Sequence, residues 1–439
     1  MRIALNTPAR KVALLAPVLA LAIILIAASG ASFLASILIS SPTLQNHERA
    51  MWLQSGNAEL AYQTGLQIAN GHFSSPSNPS AALKYLQAAT ILNPHRSNYW
   101  MALASACRTI TNCPWRDDVA KAVVADPTNP GVAWEAANLY MSTGQNDKAL
   151  QQFKIVIEND PLRISPALER SWRLWPDAPA LIHNLLPRRT EAYVAFLELM
   201  LQQNEPEAAA AAWDGMQKLD QPISQRAVLD YVRYLLTHNN VQRAKLVWEQ
   251  SATLAGLADY QPSRENLIVN GGFDLPIMNG GFDWLYGKLA NVTLQLDTVQ
   301  FHSAPRSLMI SFDKAQISDA GIQHLVLVNP DTNYDFFASY KTENLRGAGG
   351  LVFTLQDALD ESTIFTSDEL TGADFWKETD GSFSTGPNTH LLILRMQRIP
   401  AGNVIEGSFW VDDVRLTEHS VSSAENFSGH APDIRKARQ

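Results

Sequence analysis

The chain lacks the short signatures that announce common enzyme chemistries. It has no HExxH pair, no CxxC, no GxSxG elbow and no P-loop. The glycine-rich run Gly347-Ala348-Gly349-Gly350 precedes a strand pattern, so it reads as a hairpin loop rather than a phosphate cradle. The ten histidines are scattered, and among 43 acids no spacing singles out a glycosidase pair. A net charge of -9, spread along the chain, argues against nucleic acid, whose phosphates call for clustered Lys and Arg. Cysteine is scarce, with Cys107 and Cys113 alone in 439 residues. In an oxidising compartment this pair can close a disulfide across a helix–helix turn; the alternative is two small buried thiols.

Formal charge is also missing from a long stretch near the N-terminus. None occurs between Val12 and His47, and residues 12–40 are almost wholly apolar or small. That exceeds the roughly 20 residues that span a bilayer as a helix. Arg2, Arg10 and Lys11 precede it, which predicts a cytoplasmic segment 1–11 and a single-pass anchor in the inner membrane, with the bulk of the chain periplasmic or extracellular. The other reading is a signal peptide cleaved near Ala28 and Gly30; both export the remainder.

A repeat is the clearest positive feature. Asn93-Pro94, Asp126-Pro127 and Asp160-Pro161 recur at steps of 33 and 34 residues. A period near 34 with helical patterning is the length of one helix–turn–helix unit, which must stack on neighbours to bury its apolar face. In the best copy Gly144 supplies the free backbone of a tight turn, Ala149 lets two helices approach, Phe153 fills the gap one turn later, and Pro161 ends the unit. Ala209 with Trp213 and Ala244 with Trp248 repeat the small-then-large couple. About five units fit residues 50–258, with an irregular link at 172–189 and a lengthened turn at 74–80.

Tyr140, Gly144, Ala149, Phe153 and Pro161 resemble the tetratricopeptide repeat (TPR), with Ala133 in the slot usually held by Trp and Trp134 one residue beyond it. The resemblance implies an α-helical solenoid that binds a protein partner.

Beyond Tyr260 the pattern changes to alternation and turn signals. Asn270-Gly271-Gly272-Phe273-Asp274 recurs as Asn279-Gly280-Gly281-Phe282-Asp283, and about eight alternating runs follow, which predicts a β-sandwich over residues 265–418 and a disordered tail at 419–439. Residues 266–274 read like the first strand of jelly-roll carbohydrate-binding modules of the galactose-binding-like superfamily. Residues 302–308, 328–330, 334–341 and 409–414 continue that resemblance in order.

The resemblance implies a structural calcium held by Asp274 and Asp412, hard carboxylate oxygens that would tie the two ends of the domain together; the alternative is a solvated Asp274 and an Asp412 satisfied by backbone amides. Asp413, next along the strand, is expected on the opposite face. A glycan would stack on exposed rings, first Trp284 and Tyr286, then Trp376, unless these rings fill the core. The whole chain thus resembles membrane-anchored TPR proteins with a C-terminal carbohydrate-binding-module-like jelly roll: a multidomain α + β chain with a transmembrane helix, a TPR-like solenoid and a sandwich. Three roles fit: a non-catalytic scaffold joining a protein partner to a polysaccharide, in cell-surface polysaccharide assembly or export; a purely structural protein–protein module; or an accessory subunit of a polysaccharide-processing complex.

Overall fold

The computed structural model describes residues 8–40, 43–73 and 78–419. Most of the segment expected in the cytoplasm, part of the lengthened turn and nearly all of the expected tail lie outside the described residues. Helix α1, Pro8–Ile39, contains the stretch Leu15–Ile39, long and apolar enough to cross a membrane and almost wholly unburied. It is of the kind that serves as an anchor or a signal sequence.

Thirteen further α-helices follow among the described residues. They are α2 Leu44–Leu53, α3 Ala58–Ala69, α4 Pro79–Leu92, α5 Ser97–Cys107, α6 Trp115–Ala125, α7 Pro130–Ser142, α8 Asn146–Asn159, α9 Ile164–Leu174, α10 Ala178–Asn184, α11 Thr190–Gln203, α12 Pro206–Gln217, α13 Gln225–Thr237 and α14 Val241–Leu254. They pack in sequential pairs, α3 with α4, α5 with α6, α7 with α8, α11 with α12 and α13 with α14. The periodic Asx-Pro pairs account for the spacing. Asn93, Asp126 and Asp160 close α4, α6 and α8 with ψ of 87°, 81° and 94°, the extended conformation that a following proline imposes. Asn57, Asn78 and Asn129 then accept backbone N–H groups at the start of α3, α4 and α7. Between α7 and α8, Gly144 takes φ of +73°, and Ala149 and Phe153 are fully buried. Cys107 and Cys113 are joined in a disulfide across the α5–α6 turn. The link at 172–189 is more ordered than its sequence suggests, since it holds α10.

The chain divides into two compact units on either side of Leu219 and Asp220. Helices α13 and α14 therefore belong with the sandwich, although the sequence pattern changes only near Tyr260. The sandwich has ten strands: β1 Trp284–Tyr286, β2 Val292–Asp297, β3 Ser307–Gln316, β4 Asp319–Leu327, β5 Asn333–Arg346, β6 Gly350–Asp357, β7 Thr363–Thr366, β8 Lys377–Ser384, β9 Leu391–Ile399 and β10 Val404–Glu418. They form two five-stranded antiparallel sheets, ordered β1-β4-β9-β6-β7 and β2-β3-β10-β5-β8. Phe273, Trp284, Phe336, Phe353 and Phe409 fill the space between them.

Two expectations change here. Residues 266–274 form no regular strand, because Asn270 and Phe273 both take positive φ, at 53° and 56°. The segment is instead sewn to β10 by Asn266, whose carboxamide donates to the Val414 carbonyl and accepts from the Leu416 N–H, and by the Val414 N–H on the Gly271 carbonyl. The run 347–350 is a crossover between the two sheets rather than a hairpin, since β5 and β6 lie in different sheets. Buried Arg398 holds it, donating to the carbonyls of Gly350 at 2.8 Å and Ala348 at 2.7 Å.

The second Asn-Gly-Gly-Phe-Asp copy faces α14. Gly281 has φ of +64°, and a Cβ there would lie 2.1 Å from the Trp248 ring. Gly144 has a positive φ too, but open space around it. Gly281→Ala should therefore destabilise the chain by about 3 kcal/mol, strain plus overpacking, and Gly144→Ala by about 1 kcal/mol, strain alone. Urea titration followed by tryptophan fluorescence checks the order; equal losses would mean that Trp248 moves aside freely.

Candidate functional site

The sequence-expected platform residues separate. Trp284 is 1% exposed: its ring stacks on Phe273 at 4.9 Å, meets His324 edge-on, and its indole N–H donates to the Asn270 carbonyl. With its ring enclosed by these neighbours and almost no surface exposed, Trp284 is a core residue and not a sugar platform. Tyr286, two residues on, is 45% exposed. It ends β1 at the edge of its sheet, where the core register runs out into solvent. Trp376 stands just before β8, half-buried, with its ring 5.7 Å from His302. Because β7 touches β8, Trp376 lies at the sandwich edge opposite β1, and the structure does not bring Tyr286 and Trp376 together.

Tyr286 opens onto a cleft of about 410 Å³ that is also lined by Asp319, Gly321, Gln323 and Arg395. Strand pairing puts Gln323, Arg395 and Thr354 in one row across β4, β9 and β6. Arg395 donates from Nε to Gln323 Oε1 at 3.1 Å and from Nη1 to Gln356 Oε1 at 3.3 Å. Asp319 spends one carboxylate oxygen on the Gly321 N–H. In the register Leu285 pairs with Gln323 and Tyr286 with Ile322, so the cleft's outer wall carries a fixed guanidinium, two carboxamides and an acid, donors and acceptors suited to hydroxyl-rich ligands, and Tyr286 bounds it where β1 ends. Sequence reading missed Arg395 and Gln323. Their signal was a polar residue at an outward position of a largely apolar strand, Gln323 in β4 and Arg395 in β9.

The expected calcium ligands do not fit a cation. Asp412 is fully buried, and its carboxylate accepts the N–H groups of His302 at 2.8 Å, Ser303 at 2.9 Å and Asp413 at 2.8 Å. Three N–H dipoles aimed at the carboxylate take three of its roughly four lone-pair sites and satisfy its charge without a metal. Asp413 does not face away. A β-bulge between Asp412 and Arg415, with Asp413 at φ of +50°, turns its carboxylate onto the same 302–303 turn. There it meets His302 Nδ1 and Ser303 Oγ, each at 2.6 Å, and Arg415 at 3.0 Å. Burial pushes Asp413 up, but these hydrogen bonds outweigh it and hold the carboxyl below its usual range. Asp274 is exposed, and the guanidinium of Arg306 donates to the carbonyls of Phe273 at 2.7 Å and Asp274 at 2.6 Å. Among the described residues no cluster of three or more His, Cys, Asp or Glu could hold a metal.

A second buried acid went unnoticed in the sequence. Asp283, fully buried, accepts the Met278 N–H at 2.6 Å, and burial raises its carboxyl to about 6 against these hydrogen bonds. His324, also buried, is lowered by burial to about 4, and its Nε2 lies 3.0 Å from the Val269 carbonyl.

No family model matches the chain, and no curated protein matches it in sequence. Among solved structures, a CBM4 structure is 14% identical over 35% of this chain and 99% of its own, with a TM-score of 0.28. A MamA structure is 16% identical over 40% of this chain and 87% of its own, at 0.27. The CBM22-1 xylan-binding domain from Paenibacillus barcinonensis Xyn10C is 14% identical over 35% of this chain and 94% of its own, at 0.25. The fold assignment rests on the helices and sheets described above.

Two outcomes follow from these side chains. The melting temperature of the full chain should be the same in calcium and in chelator, whereas Arg306→Ala should lower it; a calcium-dependent rise in the wild type would restore the metal site. The second concerns acid. A raised carboxyl binds its proton more tightly when folded, so Asp283 contributes about 3 kcal/mol more stability as pH falls from 6 towards 4. The lowered imidazole of His324 does the reverse, with its contribution complete above pH 6.5 and lost as pH falls through about 4. The two nearly cancel in the wild type. Asp283→Asn should leave the His324 loss uncovered, seen as a stability that falls steeply between pH 6.5 and 4 in chemical denaturation; an unchanged pH profile would count against the buried acid.

Proposed function

We propose that the chain is a non-catalytic, membrane-tethered scaffold whose bulk lies outside the cytoplasm. Its helical repeats hold a protein partner and its sandwich takes a neutral or acidic glycan. The observation that carries the glycan half is the cleft at the end of β1, lined by the exposed Tyr286, by Asp319 and by Gln323 and Arg395 of the fixed Arg395–Gln323–Gln356 row. An arginine with free N–H groups beside it favours a uronic or otherwise acidic sugar. The uncharged α1 span with Arg10 and Lys11 before it supports the orientation. A place in cell-surface polysaccharide assembly or export is the setting in which these halves would work together.

The alternative is a structural module in envelope assembly or secretion, with the sandwich capping the helices. The tight packing of Phe282 against Trp248 at 5.8 Å favours it, because it makes the last helical pair and the sandwich one body.

A glycan array probed with the detergent-solubilised full chain separates the readings. The first requires binding that Tyr286→Ala and Arg395→Ala each reduce by roughly tenfold or more without lowering the melting temperature, the loss of one stacking or bidentate contact being worth about 1.4 kcal/mol. If no glycan is retained, the capping role stands and the glycan role falls.

A further inference from the structure

The first helices of successive pairs present one continuous face. Along α3, Tyr62 and Leu66 stand one turn apart, and along α5, Asn98, Met101 and Ser105 occupy one stripe. Together with Glu135 of α7 they line a groove of about 540 Å³. Among the described residues no Lys, Arg or His lines it, and Glu135 is its one carboxylate. Glu59, a turn before Tyr62, is already committed, accepting the Tyr99 hydroxyl and the Gln63 carboxamide, each at 2.7 Å. Glu135 is different. Its side chain reaches solvent but is walled by protein, and it has no hydrogen-bond or ion-pair partner among the described residues. Arg163, the cation whose field it feels, is taken up by Asp160 at 3.1 Å. Burial raises the Tyr62 hydroxyl, and the negative fields of Glu59 and Glu135 raise it further. Leu66 and Met101 give the groove an apolar floor.

We infer that this groove receives an extended basic segment of a protein partner, with an arginine or lysine side chain laid against the Tyr62 ring and paired with Glu135. The chemistry follows from the two groups. A guanidinium can lie over a tyrosine face and form two parallel hydrogen bonds to a carboxylate. Asn98 and Ser105 supply donors and acceptors for the main chain of the bound segment. This assignment rests on the protein-binding half of the function proposed above and names the charge of the partner.

The test is selection from a displayed random nonapeptide library on the full chain held in nanodiscs. Enriched peptides should carry arginine or lysine at a fixed position. Glu135→Gln should lower the affinity of an enriched peptide at least tenfold in fluorescence anisotropy, with no change in melting temperature. Glu198→Gln, on an exposed site of α11 away from the groove, should leave it unchanged and so controls for general attraction to an acidic protein. Enrichment of neutral or acidic peptides, or equal affinity in Glu135→Gln, overturns the basic-segment assignment and leaves a protein-binding role intact. No enrichment at all overturns both.

Discussion

The burial of Trp248 is the constraint on which the C-terminal unit depends. Its indole has no exposed surface, its N–H donates to the Tyr260 carbonyl at 2.9 Å, and one edge meets Phe282. A buried tryptophan left without that packing would cost about 3–5 kcal/mol, a large share of the stability of an ordinary domain. The turn opposite it must therefore approach closely, and only Gly281, with no Cβ and a positive φ, lets the backbone do so. Once that turn is fixed, Phe282 and Asp283 are fixed with it, and β1 begins one residue later. The position of Tyr286 at the mouth of its cleft descends from this contact.

The two Asn-Gly-Gly-Phe-Asp copies show how identical residues acquire different roles. In the first, Phe273 enters the sandwich core and Asp274 stays exposed beside Arg306. In the second, Phe282 leaves the core for Trp248 and Asp283 is fully buried. Both asparagines take φ near +54°, but the turns then part, the next left-handed residue being Phe273 in the first copy and Gly281 in the second. The neighbours decide the rest, because a carboxylate takes its charge state from the solvent it loses and the donors it meets. Charge at the sandwich ends is managed in the same way. Arg306, Arg398 and the N–H groups around Asp412 each meet main-chain carbonyls or a buried carboxylate there.

Much of the helical half was legible because its signals are local. A proline two residues past a helix excludes continuation whatever surrounds it, and an alanine followed four residues later by a large aromatic is a close-packing couple in any helix pair. The strand alternation was legible for the same reason, since a period of two follows from the pleat. Trp284 was misread because exposure is not a property of a turn-rich loop. Its ring is buried by Phe273 and His324, which come from different segments. Asp413 was misread because alternation assumes a regular strand, and a single bulge resets the facing of every residue after it.

The amino-acid sequence by itself determined the anchor-like apolar span, the 33- to 34-residue helical period and a β-sandwich of alternating strands. Each of these is a matter of spacing or composition, and spacing acts through backbone geometry that neighbours scarcely alter. Only the tertiary structure decided which ring faces solvent, that Arg395 and Gln323 stand beside Tyr286, that Asp412 is filled by N–H donors, and that the last helical pair belongs with the sandwich. Those are pairings between residues far apart in the chain, and a one-dimensional pattern carries no distance across such a gap.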